Sequence, residues 1–293
     1  MSGNYGSPRP IEGRLRLPSG TDAYTCTWRA EQGHGQRAKG RPPVLLLHGF
    51  GEHCRRYDEL AGSLAGDGFT VRSIDLPGHG RSQGRPGDAG DLGEALGDVD
   101  AFFSASLQAE GASEAFVYGH SMGGALAAAA ATGAFPGIAV PALRGLVLSA
   151  PAVHVATRPA FQVGLARLVG AVWPLAPVAR VAPSTISSQL HEQAAYGADP
   201  LVRPRTPVRA ALLMHDAGRL ALAAGEKIRV PVLLLHGEDD TLVPPAASRR
   251  LEAAMSNASS ALVSFAGCRH EVHHDHRRGE LAAVVSSWLA SQC

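Results

Sequence analysis

Ala115-Phe-Val-Tyr-Gly119-His120-Ser121-Met122-Gly123-Gly124-Ala125-Leu126-Ala127 is the stretch on which the reading of the fold turns. An apolar run that suits a buried strand enters Gly-x-Ser-x-Gly, and an alanine-rich tract of high helix propensity follows at once. A strand that becomes a helix over so few residues leaves no room for side chains where the chain crosses itself, hence glycine at 119 and 123. The turn forces Ser121 into a strained conformation with its hydroxyl projecting, at a helix N-terminus where developing negative charge is favoured. A helix-capping serine beside a glycine turn would read the same, but the strand before and the helix after point to a nucleophile.

Outward from this turn, similar apolar runs occur at Val44–His48, Thr70–Asp75, Gly145–Ser149, Val230–His236 and Ala261–Phe265. Apolar on both faces, they read as parallel strands covered by helices on each side. Helical spacing fills Tyr57–Ala65, Asp91–Ala109, Met122–Thr132, Ala246–Met255 and Leu281–Leu289. The alternation predicts a doubly wound, mostly parallel α/β fold. Ahead of it, Arg14–Leu17 and Ala23–Trp28 alternate apolar and polar residues as an antiparallel pair would. Residues 1–10 and Glu31–Arg41 read as a tail and a loop. From Ala152 to Thr206 no strand signal appears, only short amphipathic pieces such as Phe161–Val172, punctuated by prolines. An insertion of that length is too long for a loop. It is expected to form a helical cap over the carboxyl edge of the sheet, where such folds bind ligands. The organisation expected is therefore core 1–151, cap 152–206 and core 207–293.

Serine is a weak nucleophile until a base takes its proton. For a nucleophile on a strand–turn–helix, an acid and then a histidine should follow in the chain. Gly237-Glu-Asp-Asp240 follows one late strand and Ala266-Gly-Cys-Arg-His270 follows the next. Asp240 is the expected orienting acid and His270 the expected base; His236, which precedes the acid, reads as a strand-end residue. The backbone N–H groups of Met122, directly after the serine, and Phe50, in the loop after the first parallel strand, are the candidate oxyanion donors.

Composition bounds the rest. With 27 Lys and Arg against 26 Asp and Glu among 293 residues, the chain has no basic footprint for nucleic acid. Four scattered cysteines form no CxxC and no disulfide framework. The N-terminal residues lack the apolar core of a signal peptide, and no apolar run is long enough to span a bilayer. A cytoplasmic protein is expected, with Val163–Trp173 of the cap as a surface for peripheral contact with a membrane or micelle.

Val44–Gly49 with Gly51-Glu52-His53, the pair Arg56-Tyr57, Asp75 with Gly78-His79-Gly80-Arg81-Ser82, and Gly119–Gly124 carry a resemblance. So do Tyr196, Asp199-Pro200-Leu201, Gly237-x-x-Asp240 and His270-x-x-His273. Together they resemble the monoacylglycerol lipase and lysophospholipase branch of the α/β-hydrolases, over about residues 12 to 290. The resemblance implies an α/β-hydrolase fold and an ester hydrolase acting on single-chain lipids. Monoacylglycerol is the first candidate substrate, with lysophospholipids or a broad range of carboxylic esters as alternatives. It implies a Ser121, Asp240, His270 triad, no cofactor and no metal. It also implies that Glu52, Arg56, Tyr196 and His273 receive the alcohol half of the substrate while the cap forms the acyl tunnel.

Two other readings compete. His270-Glu-Val-His-His274 also satisfies H-E-x-x-H, which would make His270 and His274 zinc ligands, but such a motif needs a helix to bring both imidazoles to one face. A non-catalytic binding module on the same fold is opposed by the intact Ser, Asp and His.

Overall fold

The apolar runs become neighbouring strands of one sheet. A computed structural model describes residues 9–30, 40–138, 142–154 and 158–293; of the expected tail at 1–10 and loop at 31–41, residues 1–8 and 31–39 lie outside them. Strands β1 (Ile11–Arg16), β2 (Asp22–Trp28), β3 (Val44–Leu47), β4 (Val71–Ile74), β5 (Ala115–His120) and β6 (Leu143–Ser149) are followed by β7 (Pro177–Arg180) and β8 (Arg205–Pro207), then β9 (Val232–Gly237) and β10 (Ser260–Phe265). Among the described residues the main sheet runs β1-β2-β4-β3-β5-β6-β9-β10. From β4 to β10 neighbours are parallel; β1–β2 and β2–β4 are antiparallel, as the alternating pattern of the first two implies.

Period-two geometry explains why the central strands are apolar throughout. Val44 and Leu46 of β3 and Phe116 and Tyr118 of β5 point into one hydrophobic cluster, while Leu45, Leu47, Ala115 and Val117 point into the other. Helices α1 (Asp58–Gly66) and α9 (Arg278–Ser291) cover the first face. Helices α2 (Leu92–Glu110), α3 (Met122–Ala131), α7 (Val208–Ala223) and α8 (Ala246–Ala254) cover the second. The N-terminus of α2 is set by a capping box, with Asp91 Oδ1 accepting Glu94 N–H (3.0 Å) and Glu94 Oε2 accepting Asp91 N–H (2.9 Å).

Between β6 and β8 lie α4 (Ala160–Val172), β7, α5 (Pro183–Ile186) and α6 (Leu190–Ala198). The sequence reading finds no strand here, yet β7 pairs with β8 in a small antiparallel sheet. All four residues of β7 are exposed and it opens on a proline, so no alternation betrays it. Helix α7 is also absent from the sequence reading, although Val208, Leu213, Ala217 and Ala221 pack it into the core.

Strand order reverses direction between β3 and β5: the chain leaves β3 for β4 on one side and builds β5, β6, β9 and β10 on the other. At such a switch point the loops beyond adjacent carboxyl ends diverge and open a crevice. The loop after β3 and the turn after β5 both end there.

Candidate active site

Ser121 holds φ +50° and ψ −112° between β5 and α3, a left-handed conformation costly for any residue but glycine. The strain is pinned by backbone hydrogen bonds, Ser121 N–H to Ser149 O (2.9 Å) and Ser121 O from Ala125 N–H (3.0 Å) and Ala152 N–H (2.9 Å). Its flanking glycines are forced by contact. A Cβ at Gly119 would lie 2.6 Å from Gly123 O, and one at Gly123 would lie 2.3 Å from Leu47 O.

Asp240 follows β9 and is fixed on both oxygens. Oδ1 accepts the N–H groups of Leu242 and Val243 (2.8 Å each); Oδ2 accepts from His270 Nδ1 (2.7 Å) and lies 3.2 Å from His236 Nε2. His236 sits on the far side of the carboxylate, tied to Ser248 Oγ (2.7 Å) and Val243 O (2.8 Å). With Nδ1–H committed to Asp240, the neutral His270 ring keeps a lone pair on Nε2. Burial favours the protonated form of Asp240, but His270 and the hydrogen bonds outweigh it and hold the carboxyl below the usual carboxylate range. Burial also opposes charge on His270, and Asp240, reinforced by Glu271 and Glu52, outweighs it, so this histidine titrates above the ordinary 6.5. Behind His270, 4.8 Å between ring centroids, His120 is pushed down to about 4 by burial and then by His270.

Ser121 and His270 line one cavity of about 390 Å³ at the strand-order reversal; among the described residues no hydrogen bond joins them. Contacts of this kind commonly tighten only around substrate. Phe50 lines the same cavity, and Met122 opens α3, where the first N–H groups have no intrahelical acceptor. The Phe50 loop is clamped: Gly51, at φ +75°, accepts Arg203 N–H (2.6 Å), and a Cβ there would meet Arg203 O at 2.3 Å.

Of the four residues expected on the alcohol side, Glu52 and Tyr196 line the cavity. Arg56 and His273 do not; they stand one layer behind. Arg56 joins Glu52 Oε2 through Nε (3.2 Å) and lies over the Tyr196 ring, 5.0 Å from its centroid. His273 stacks on Tyr57 (4.6 Å between centroids), and its two buried ring nitrogens have no hydrogen-bond partner among the described residues. Glu271 takes the place at the cavity wall, bonded through Oε2 to Arg56 Nη2 (2.5 Å) and His274 Nδ1 (2.8 Å). The sequence reading saw Glu271 only as the middle of H-E-x-x-H, since its cationic partner lies 215 positions away.

A family model described as serine aminopeptidase S33 matches residues 38–277. The chain belongs to that family. Within it, the chain is 31% identical over 254 residues to the monoacylglycerol lipase of Mycolicibacterium smegmatis, covering 86% of this chain and 89% of that protein. A crystal structure of Paleococcus ferrophilus monoacylglycerol lipase superposes with a TM-score of 0.78 at 30% identity, over 92% of this chain and 99% of that one. A soluble variant of Saccharomyces cerevisiae monoglyceride lipase, solved with a substrate analogue, gives 0.81 over 98% and 97% at 22% identity, a likeness of fold. The main sheet with its flanking helices is the α/β-hydrolase fold that the resemblance implies.

Membership of the S33 family sits badly with the zinc reading, and so does the geometry. His270 and His274 are not on an α-helix; a single 3-10 turn covers Val272–His274. Nδ1 of His270 faces Asp240, and His274 spends its nitrogens on Glu271 and on Arg56 O (2.7 Å). Donor atoms of Glu271, His273 and His274 do lie within 4.8 Å of one another. Arg56 and His274 already occupy Oε2 of that carboxylate, and Arg56 is shared with Glu52, so the group reads as an ion-pair network.

Proposed function

We propose that this chain, a carboxylic ester hydrolase, cleaves the ester of a single-chain lipid, monoacylglycerol first among them, through an acyl-Ser121 intermediate. One observation carries the reading. Ser121 and His270 line a cavity whose α4, β7 and α7 walls are largely apolar (Val163, Ala166, Val178, Leu212), while Glu52 and Glu271 from core loops and Tyr196 from α6 give it a polar side. An acyl chain suits the first and a hydroxylated alcohol the second. The relatives named as monoacylglycerol lipases support the same substrate.

In this mechanism His270 Nε2 accepts the Ser121 proton as Oγ attacks the ester carbonyl. The tetrahedral oxyanion is met by the N–H groups of Phe50 and Met122, and Asp240 stabilises the imidazolium. Collapse expels the alcohol, which takes the proton from His270; water then repeats the sequence and frees the fatty acid. Residues 152–206 act as the cap. The test is a hydrolysis panel of mono-, di- and triacylglycerols, lysophospholipids and short nitrophenyl esters. Monoacylglycerol is expected to give the highest kcat/KM. A clear preference for lysophospholipid, or for short esters alone, would transfer the assignment to those alternatives.

Helix α4 also bears on how substrate arrives. None of its residues is buried, and Phe161 (73% exposed), Leu168 (72%), Val172 (88%) and the adjoining Trp173 (63%) face outward. No helix among the described residues is long and apolar enough to cross a membrane. Apolar side chains gathered on one exposed helix suit shallow insertion at a lipid surface. Wild-type protein is expected to co-sediment with liposomes at moderate salt, and Leu168→Glu with Trp173→Glu to remain in the supernatant; wild type that never sediments disposes of the contact.

A further inference from the structure

The cavity wall beside His270 holds two carboxylates, which share a single guanidinium that does not line it. Glu52 (1% exposed) and Glu271 (4%) both line the cavity. Arg56, behind them, divides its fork between the two. The other Glu52 oxygen is taken by Gly49 N–H (2.5 Å) and Tyr57 O–H (2.7 Å). The two groups that face the cavity are thus both carboxylates, while Arg56 and His274, whose Nδ1 lies 2.8 Å from Glu271 Oε2, do not line it. Of the other imidazoles, burial and then neighbouring histidines keep His120 and His273 neutral near pH 7. Arg158 and Arg180 line the cavity too, but both are exposed, where water and salt screen them.

Carboxylate oxygens accept hydrogen bonds and donate none. A wall built from them holds hydroxyl donors and repels anions, and at buried positions the repulsion is several-fold stronger than in water. We infer that Glu271, together with Glu52, sets head-group specificity, admitting a neutral polyol and rejecting a phosphate-bearing head group. The inference rests on the proposed single-chain lipid ester and decides between its glyceride and lysophospholipid forms. Glu271 is the informative member because the resemblance assigned this place to Arg56 and His273, which the structure sets back from the cavity.

The test compares kcat/KM on three esters of one acyl chain, namely the monoacylglycerol, the lysophosphatidic acid and the nitrophenyl ester. Wild type is expected to favour the glyceride over the lysophosphatidic acid by about 100-fold or more, and Glu271→Gln to reduce that ratio at least ~10-fold. A ratio taken within one protein cancels any general loss of active enzyme. An unchanged ratio in Glu271→Gln overturns the inference. So does a wild type that takes both lipids equally well, and in either case ester hydrolysis stands. Failure of wild type on all three esters removes the proposed function and this inference with it. If Glu271→Gln does not fold, inhibition of wild-type nitrophenyl ester hydrolysis reads the same wall. Glycerol should compete about tenfold better than glycerol phosphate; equal or better competition by the phosphate overturns the inference.

Discussion

Ser121→Ala is expected to lower kcat/KM by about 10⁴- to 10⁶-fold while the protein stays folded. The size follows from the way such groups act as a unit: without the hydroxyl no acyl-enzyme forms, and only binding and the oxyanion donors remain. Survival of the fold follows from what holds the turn. Backbone hydrogen bonds to Ser149, Ala125 and Ala152 pin residue 121, and the glycines at 119 and 123 make the crossing; none needs the hydroxyl. Alanine carries the same Cβ into the same left-handed conformation, so no strain is added. A melting temperature within a few degrees of wild type, with labelling by a fluorophosphonate abolished, would complete the result. More than about 10% of wild-type activity would remove Ser121 from the mechanism.

Asp240→Asn should cost about 10⁴-fold in kcat, for a different reason. An amide nitrogen turned toward His270 would favour the tautomer that presents N–H, rather than a lone pair, to the serine. The imidazolium formed during attack would also lose its nearest negative charge. The pH profile checks this separately. Burial depresses His270, and Asp240 is the largest influence raising it, with the net value above 6.5. A base must be neutral to work, so wild-type activity should be complete well above that value and fall away as pH drops through it. In Asp240→Asn the residual activity should show its acid limb at lower pH. A wild-type profile flat down to about 4.5 would show that no such histidine is the base.

What the sequence discloses about this chain is what neighbouring residues decide together. The run from Ala115 to Ala127 announces strand, turn and helix because all three are local, and Asp240 and His270 are legible because each follows its own apolar strand. Residues that act by meeting distant partners are not. Strand β7 exists by virtue of β8, and its exposed residues carry no pattern. Arg56 and His273 match a motif, yet the motif cannot say that another side chain, Glu271, lines the cavity and they do not. That position is set by a guanidinium 215 residues away. Even a buried pair of this kind leaves only two ordinary charged letters in the text.

The attachments of the inserted segment restrict how a guest can enter. Thr185 O and Ile186 O accept the N–H groups of His270 (3.4 Å) and Glu271 (2.7 Å), and Arg203 is buttoned to Gly51 beside Phe50. One anchor therefore steadies the proposed proton carrier and the other the proposed anion cradle. Swinging the whole roof aside would dismantle both at the moment they are required. Among the described helices of the inserted segment α4 alone has no buried residue, and it is tied to α7 by the exposed Arg167–Asp216 ion pair (2.6 Å), so it is the piece expected to yield while the hearth stays in place.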